Sequence, residues 1–138
     1  YFIEIKARDP YFKESNWSKH KISISQTEFA ITNVQGGIAE TKITIENNGE
    51  FTAKNITSTI RIKGGIFSGI NITHTCSGCE DCSNSLQPGE YKTESSLGGG
   101  VIFGFGQISM NFSVMADNAK TFSLKKKGFV IGPLVLVN

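Results

Sequence analysis

The sequence has few of the residues from which catalytic sites are built. Its 138 residues include two His, three Cys and three Asp, and charged residues make up only 19% of the chain. An enzyme needs several such groups positioned together. A Gly-x-Ser-x-Gly motif for a serine nucleophile is absent, and the Gly-rich run of residues 98–106 lacks the Gly-Lys-Ser/Thr of a phosphate-binding loop. We therefore predict a non-catalytic protein with no catalytic residue and no cofactor.

Long apolar runs and a strong charge are also missing. The longest apolar stretch, Phe129 to Val137, is interrupted by Gly132 and Pro133 and falls far short of the roughly 20 residues of a membrane helix. The net charge is +2, and the one basic cluster is Lys125–Lys127. This balance predicts no nucleic-acid partner. Because residue 1 is Tyr and not Met, we expect a processed product or a trimmed chain, with no remaining signal peptide.

The residues that are abundant favour strands. The chain has fifteen Gly, ten Phe, 25 Ser plus Thr and many Ile, a composition typical of β-structure. We find no convincing helical periodicity over more than about ten residues, whereas turn signals recur every 8 to 12 residues. This pattern predicts one all-β domain over residues 1–138, an antiparallel β-sandwich of eight or nine strands with almost no helix.

The clearest strand alternates between two faces. Ile56, Ser58, Ile60 and Ile62 point to one face, with polar residues between them. Further strands are predicted in residues 1–8, 21–34, 38–47, 66–75 and 101–116, and residues 120–127 and 129–137 are predicted to close the chain as a hairpin.

The N-terminal segment is a candidate for strand exchange. Residues 1–8 place Ile3, Ile5 and Ala7 on one face. Residues 9–21 show neither helical nor strand periodicity and are predicted to be a connector. Such a connector is long enough for the strand to reach a neighbouring subunit. We name Phe2, Ile3, Ile5 and Ala7 as the strand-exchange residues.

Four sequons are candidate glycosylation sites, at Asn16, Asn55, Asn71 and Asn111. About 1.6 are expected by chance from the composition. In the last three an apolar residue separates the Asn from its Ser or Thr, which in a strand buries the apolar residue and exposes the other two. Glycosylation and ordinary polar strand faces both explain the pattern.

Three cysteines, Cys76, Cys79 and Cys82, allow two interpretations. With His74 they offer four metal ligands, but within nine residues such a site would be cramped. A disulfide that closes a loop is favoured, with Cys76 to Cys82 as the least strained pairing by separation, and it implies an oxidising compartment. His74 itself reads as a structural histidine. We predict no metal site.

Calcium and carbohydrate sites have weaker signals. Glu80-Asp81 or Asp117-Asn118 could supply oxygen ligands, but turn chemistry explains these residues equally well. Tyr11, Phe12 and Trp17 could form a carbohydrate platform, yet in a connector they more often fix it to the domain.

Two segments resemble a known family. Residues 41–65, TKITIENNGEFTAKNITSTIRIKGG, and residues 86–91, LQPGEY, resemble the CARDB-type domains of bacterial and archaeal surface proteins. The resemblance covers roughly residues 40–125 and implies an immunoglobulin-like β-sandwich in a mostly non-catalytic, adhesion-related protein. The cysteine loop, the Gly-rich insertion and the extra terminal strands depart from the family pattern.

Two functions follow as expectations. The first is a subunit of an extracellular filament or pilus-like polymer, whose partners are other copies of itself and whose N-terminal strand completes the neighbouring subunit's sheet. The second is a monomeric adhesion or ligand-binding ectodomain of a membrane-anchored protein, with cell-surface or glycan ligands. Both place the protein at the cell surface, and an Ile- and Asn-rich glycoprotein of this kind would suit an archaeal envelope.

Overall fold

The computed structural model describes residues 26–77 and 84–138, together with the backbone of the strands Phe2–Ile5 and Ser18–Lys21. The described strands are β1 (Phe2–Ile5), β2 (Ser18–Lys21), β3 (Phe29–Gly36), β4 (Thr41–Asn47), β5 (Ala53–Lys54), β6 (Thr57–Gly64), β7 (Ile70–Ser77), β8 (Ser85–Leu86), β9 (Tyr91–Ser95), β10 (Gly104–Ala116), β11 (Ala119–Gly132) and β12 (Leu134–Val137). Short 3-10 helices span Ile66–Ser68 and Ser96–Gly99.

The predicted all-β class is confirmed, with more strands than expected. Twelve strands are described instead of eight or nine. Three of them, β2, β5 and β8, have only two to four residues each. Segments this short are too short to show a reliable alternation in the sequence.

The long strands form two facing antiparallel sheets. Five strands lie in the order β12-β11-β10-β6-β7, and three lie in the order β3-β4-β9. The seven longest strands are divided between the two sheets. One sheet contains β3, β4 and β9, and the other contains β6, β7, β10 and β11. This is an immunoglobulin-like sandwich. Two smaller sheets, β1-β2 and β5-β8, lie outside these two.

The core lies between the two sheets and follows the predicted alternation. In β6, Ile60 and Ile62 are buried while Arg61 and Lys63 are exposed. The fully buried side chains come from both sheets and from two connecting segments, which supply Ile56 and Ile102. They form a single cluster, which includes Ile43, Ile45, Ile56, Ile60, Ile62, Ile102, Met110, Phe112, Val114 and Val130. Burial of these apolar side chains is the main stabilising contribution to such a fold.

The C-terminal hairpin turns later than the sequence predicted. A break was expected near Gly128, but β11 continues through it to Gly132, and the chain reverses at Pro133. At Gly128 a Cβ atom would lie 2.4 Å from the carbonyl oxygen of Leu136. Gly128 therefore allows β12 to pass close by. Gly132, with φ of +60°, provides the left-handed conformation of the turn.

Two other predicted segments differ from the structure. The strand expected over 66–75 begins only at Ile70, because residues 66–68 form a 3-10 helix. The predicted connector, 9–21, ends in a strand, since Ser18–Lys21 pairs with Phe2–Ile5. Residues 9–17, and the predicted strand residues Ile22 and Ile24, lie outside the described residues.

Among the described residues, no helix has the length and apolar character needed to cross a membrane.

Candidate functional site

Three of the four sequons lie in the described ranges, and all three asparagines are exposed. Asn71 and Asn111 lie on the outer face of the five-stranded sheet, with buried Ile72 and Phe112 next to them. The predicted pattern holds in full at Asn71, whose Thr73 is also exposed, and in part at Asn111, whose Ser113 is half-buried. Glycosylation stays a prediction. Asn16 lies outside the described residues.

Asn55 differs from the other two sequons because it does not lie in a strand. It has φ of +53° and stands before β6. Its Nδ2 donates to Oδ2 of Asp117 at 2.5 Å. The neighbouring Asn118 also uses its side chain: Oδ1 accepts the backbone N–H of Lys54 at 3.1 Å, and Nδ2 donates to the carbonyl of Thr52 at 2.9 Å. Asp117 and Asn118 thus fasten the β10–β11 turn to the β5 region.

The cysteine cluster is described only at its first member. Cys76 is buried at the end of β7 and takes part in a disulfide. Cys79 and Cys82 lie outside the described residues, so the pairing of Cys76 with Cys82 stays a prediction. In the described ranges, no three His, Cys, Asp or Glu side chains come together as a group that could hold a metal ion.

His74 faces inward on β7, between buried Ile72 and Cys76. The glycines after β9 cross directly over it. A Cβ on Gly98 would lie 2.2 Å from Cε1 of His74, and one on Gly99 would lie 2.5 Å from the carbonyl oxygen of Thr73. The Gly-rich stretch therefore serves close packing, with the 3-10 helix of Ser96–Gly99 covering the edge strand of the larger sheet.

One edge of β11 is only partly paired in the described sandwich. On one side β11 pairs with β10 along nearly its whole length, but on the other side β12 pairs only with Gly128–Ile131. At the start of β11, a single parallel bridge joins Ala119 to Thr27. From residue 120 to residue 126, no described residue pairs with this edge. We call this edge, with the side of β3 that faces it, the seam.

Backbone hydrogen-bonding groups point into the seam. The N–H of Asn138 donates to the carbonyl of Lys127 at 3.0 Å, so Lys127 directs its backbone polar groups to this side of β11. In an antiparallel ladder every second residue points the same way. The alternation therefore directs the N–H and C=O of Ser123 and Lys125 to the seam. It is not extended to Thr121, because the β10–β11 register shifts between Phe122 and Ala119. Unpaired edge groups of this kind are a template for an added strand.

Core side chains are only partly covered along the seam. In the described ranges, the partly buried apolar residues that pack against the core are Ile31, Val34, Ala116, Ala119, Phe122, Leu124 and Val137. They come from the strands that border the seam, β3, β11 and β12, or from the adjoining end of β10. The apolar core is therefore less completely covered here than under β4, β6 and β9.

A cleft of about 340 Å³ opens at one end of the seam. It is lined by Gln26, Thr27, Glu28 and Phe29 on one side and by Lys120, Thr121 and Phe122 on the other. The opposite end of the seam is closed by β12, where the N–H of Val135 donates to the carbonyl of Gly37 at 2.9 Å. The opening is thus bounded at both ends.

The sequence did not reveal the seam. Alternation identified Phe122 and Leu124 only as strand residues, because it reports which face a residue occupies and not which neighbour its strand has. Phe2, Ile3 and Ile5, which we named as strand-exchange residues, lie in β1, outside both large sheets, and their exchange stays a prediction. Ala7 lies outside the described residues.

No protein-family model and no curated protein matches the chain. Among solved structures, a protein from Bordetella pertussis assigned as ApaA is similar to 80% of this chain over 98% of its own, with 13% identity and a TM-score of 0.48. The structural-genomics target SoR45 is similar to 82% of this chain over 84% of its own, with 19% identity and a TM-score of 0.42. At these values the two structures carry no argument about function.

Proposed function

We propose that this protein is a non-catalytic subunit of an extracellular filament or pilus-like polymer, assembled by exchange of the N-terminal strand between copies. The observation that carries the proposal is the position of β1. Among the described residues, β1 pairs with the four residues of β2 and takes part in neither large sheet. The sandwich therefore keeps both of its sheets when β1 is elsewhere.

The incompletely covered core supports the same proposal. A domain that donates a strand must also accept one, and an acceptor needs an unpaired edge beside apolar side chains. Phe122 and Leu124 are partly buried beside such an edge. Addition of a strand would cover them and pair the free backbone groups at the same time.

The surface setting of the polymer belongs to the proposal as well. Exposed sequons at Asn55, Asn71 and Asn111 suit a glycosylated surface protein, and the immunoglobulin-like topology suits a domain similar to the CARDB-type surface modules. An archaeal cell envelope remains the setting that we favour.

The second candidate is a monomeric adhesion or ligand-binding ectodomain. One observation favours it: the chain already contains a partner for β1, because Phe2–Ile5 pairs with Ser18–Lys21. In this candidate that pairing is permanent, and the seam is an ordinary sheet edge.

Deletion of residues 1–8 separates the two candidates. The filament proposal predicts that the truncated protein stays soluble and folded but forms no polymer, seen by electron microscopy and size-exclusion chromatography beside the full chain. Far-UV circular dichroism checks that the sandwich is intact. Continued polymerisation of the truncated protein would overturn the proposal, and a full chain that is monomeric both when released from its source and when purified would favour the ectodomain.

A further inference from the structure

We propose that the seam is the acceptor for residues 1–7 of a second copy, which add to β11 as an antiparallel strand. This inference rests on the proposed function, and it adds the acceptor edge, the direction and the register. The occupant is a second copy of this chain and not an unrelated partner, because its length and its alternation match those of the seam.

The ends of the seam fix the direction of the added strand. β12 runs antiparallel to β11 and its ladder reaches Gly128, with Asn138 bonded to Lys127. An added strand that runs in the same direction as β12 would occupy the same position in the sheet, next to β11 and in line with β12. Thr27, which lies just before β3, forms a parallel bridge with Ala119 of β11, so β3 runs parallel to β11. A strand that is antiparallel to β11 is therefore antiparallel to β3 as well. Antiparallel pairing on both sides is the more stable choice.

Length and alternation select one register. No described residue pairs with positions 120 to 126, and the stretch from Phe122 to Lys126 is regular, with a β-bulge between Phe122 and Ala119. Placing Tyr1 opposite Lys126 puts Ile5 opposite Phe122 without overlap with Asn138. The apolar face of the donor then meets the apolar face of β11. Ile3 lies opposite Leu124, and Ile5 lies opposite Phe122, both of which are partly exposed core residues. A shift by one residue would turn both isoleucines to solvent.

The same register pairs the free backbone groups. Phe2 and Glu4 fall opposite Lys125 and Ser123, the two residues that direct their N–H and C=O to the seam. Glu4 then lies diagonal to Lys125, within reach of a cross-strand charge pair.

Exchange replaces a short ladder by a longer one. In its own chain β1 has four paired positions, Phe2 to Ile5, whereas the seam offers positions 120 to 126. The seam also adds apolar contacts to the core. Residues 8–25 lie between the donor and the first described residue of the sandwich, and these 18 residues span up to about 59 Å when extended. This reach is enough to pass from one domain to the next.

Engineered disulfides test the acceptor edge and the register. Glu4→Cys combined with Ser123→Cys places the two Cα atoms about 5.5 Å apart in the proposed pair, within disulfide range. We expect a ladder of covalent multimers on non-reducing gels after mild oxidation. The matched controls combine Glu4→Cys with Thr75→Cys on β7 or with Thr93→Cys on β9, the edge strands farthest from the seam in the two sheets. Each single variant reports background from the native cysteines.

A proline variant tests the same edge without cross-linking. The N–H of Ser123 points to the seam and not to β10, so Ser123→Pro removes no ladder bond within the domain but blocks an added strand. We expect the subunit concentration needed for assembly to rise roughly tenfold or more, with the far-UV spectrum unchanged. Ser123→Ala is the control and should assemble like the natural chain.

The outcomes of these experiments distinguish a wrong acceptor edge from a wrong proposed function. Multimer ladders with Thr75→Cys or Thr93→Cys instead of Ser123→Cys would overturn the seam while leaving strand exchange intact. A cross-linked monomer with Ser123→Cys would mean that β1 folds back on its own domain, which contradicts exchange. Unaltered assembly of Ser123→Pro would also overturn the seam, and assembly without residues 1–8 would reject the proposed function itself.

Discussion

Thr27 pairs in parallel with Ala119, and its N–H donates to the carbonyl of Asn118 at 2.9 Å. Thr27 is also 1% exposed, and its hydroxyl donates to the side chain of Asn47. The end of the seam at Thr27 and Ala119 is therefore held by a backbone bridge and by a buried side chain. Because both ends are held, we attribute the opening between them to the arrangement of the strands and not to fraying of β3.

Asn47 is the buried polar residue on which this region depends. Its Nδ2 donates to the carbonyls of Phe51 and Leu86 at 2.9 and 2.8 Å, and its Oδ1 accepts the N–H of Gly49. Asn47→Ala leaves these buried groups without partners, so we expect a loss of about 3 kcal/mol in the free energy of unfolding. Urea denaturation measures it. Asn71→Ala, at an exposed position, should change stability by less than about 0.5 kcal/mol.

Contact between the Gly-rich stretch and β7 predicts an energetic coupling. Gly98→Ala places a methyl group against the His74 ring and should cost about 1–3 kcal/mol through overpacking. His74→Ala removes the ring, so in that background the Gly98 substitution should cost nearly nothing. A double-mutant cycle by denaturant unfolding measures the coupling. Additive effects of the two substitutions would contradict the packing role that we assign to Gly98.

An ion pair lies on the inner side of β9. Lys92 Nζ is 2.8 Å from Glu94 Oε1, the two side chains are 12% and 9% exposed, and Nζ makes no hydrogen bond with good geometry in the described structure. Glu94→Leu leaves the ammonium buried without a countercharge and should cost about 3 kcal/mol. Lys92→Met together with Glu94→Leu should restore most of that loss. Thermal unfolding of the three proteins tests this, and a double variant as unstable as the single one would refute it.

Glu40 predicts a dependence of stability on pH. The Ser95 hydroxyl donates to its carboxylate at 2.6 Å and the Lys42 ammonium lies 3.0 Å away, and these contacts hold the pKa of Glu40 below its ordinary 4.5. A carboxyl whose pKa is lower in the folded state stabilises the fold above its unfolded pKa, and this contribution is lost as the pH falls through the folded pKa.

The test compares unfolding free energies between about pH 6 and about pH 3. Glu40→Gln should show a weaker loss of stability below about pH 4.5 than the natural chain, and Lys42→Gln, which keeps the Ser95 bond, should fall between them. Parallel curves for all three proteins would contradict this role of Glu40.

Glycosylation has its own test at the exposed sequons. We expect mass spectrometry of the protein from its natural source to find glycans on Asn55, Asn71 or Asn111, and deglycosylation to lower the mass by the same amount. Asn33 is also exposed but lies in no sequon, and it should carry none. A mass equal to that of the bare chain would leave the sequons as ordinary polar positions on the sheet.

The sequence predicted single strands better than their neighbours. Alternation correctly placed Ile60, Ile62 and Phe112 in the core, because burial of one strand face leaves a local pattern. It did not separate β11 from β12, since the close passage at Gly128 depends on Leu136 in a strand that pairs with it. The seam was missed for the same reason. Whether a strand edge is paired depends on which other strand lies beside it, and the local sequence of one strand does not contain this information.

In the proposed polymer, the open seam at one place and the donor strand at another would give each subunit two unlike ends. Head-to-tail contacts of this kind do not close on themselves unless the rotation between subunits makes a ring. A growing chain of copies would therefore be polar, with an unfilled acceptor at one tip and an unused donor at the other. At the unfilled tip Phe122 and Leu124 would stay only partly buried, as they are in the single chain, whereas every acceptor behind the tip would be covered.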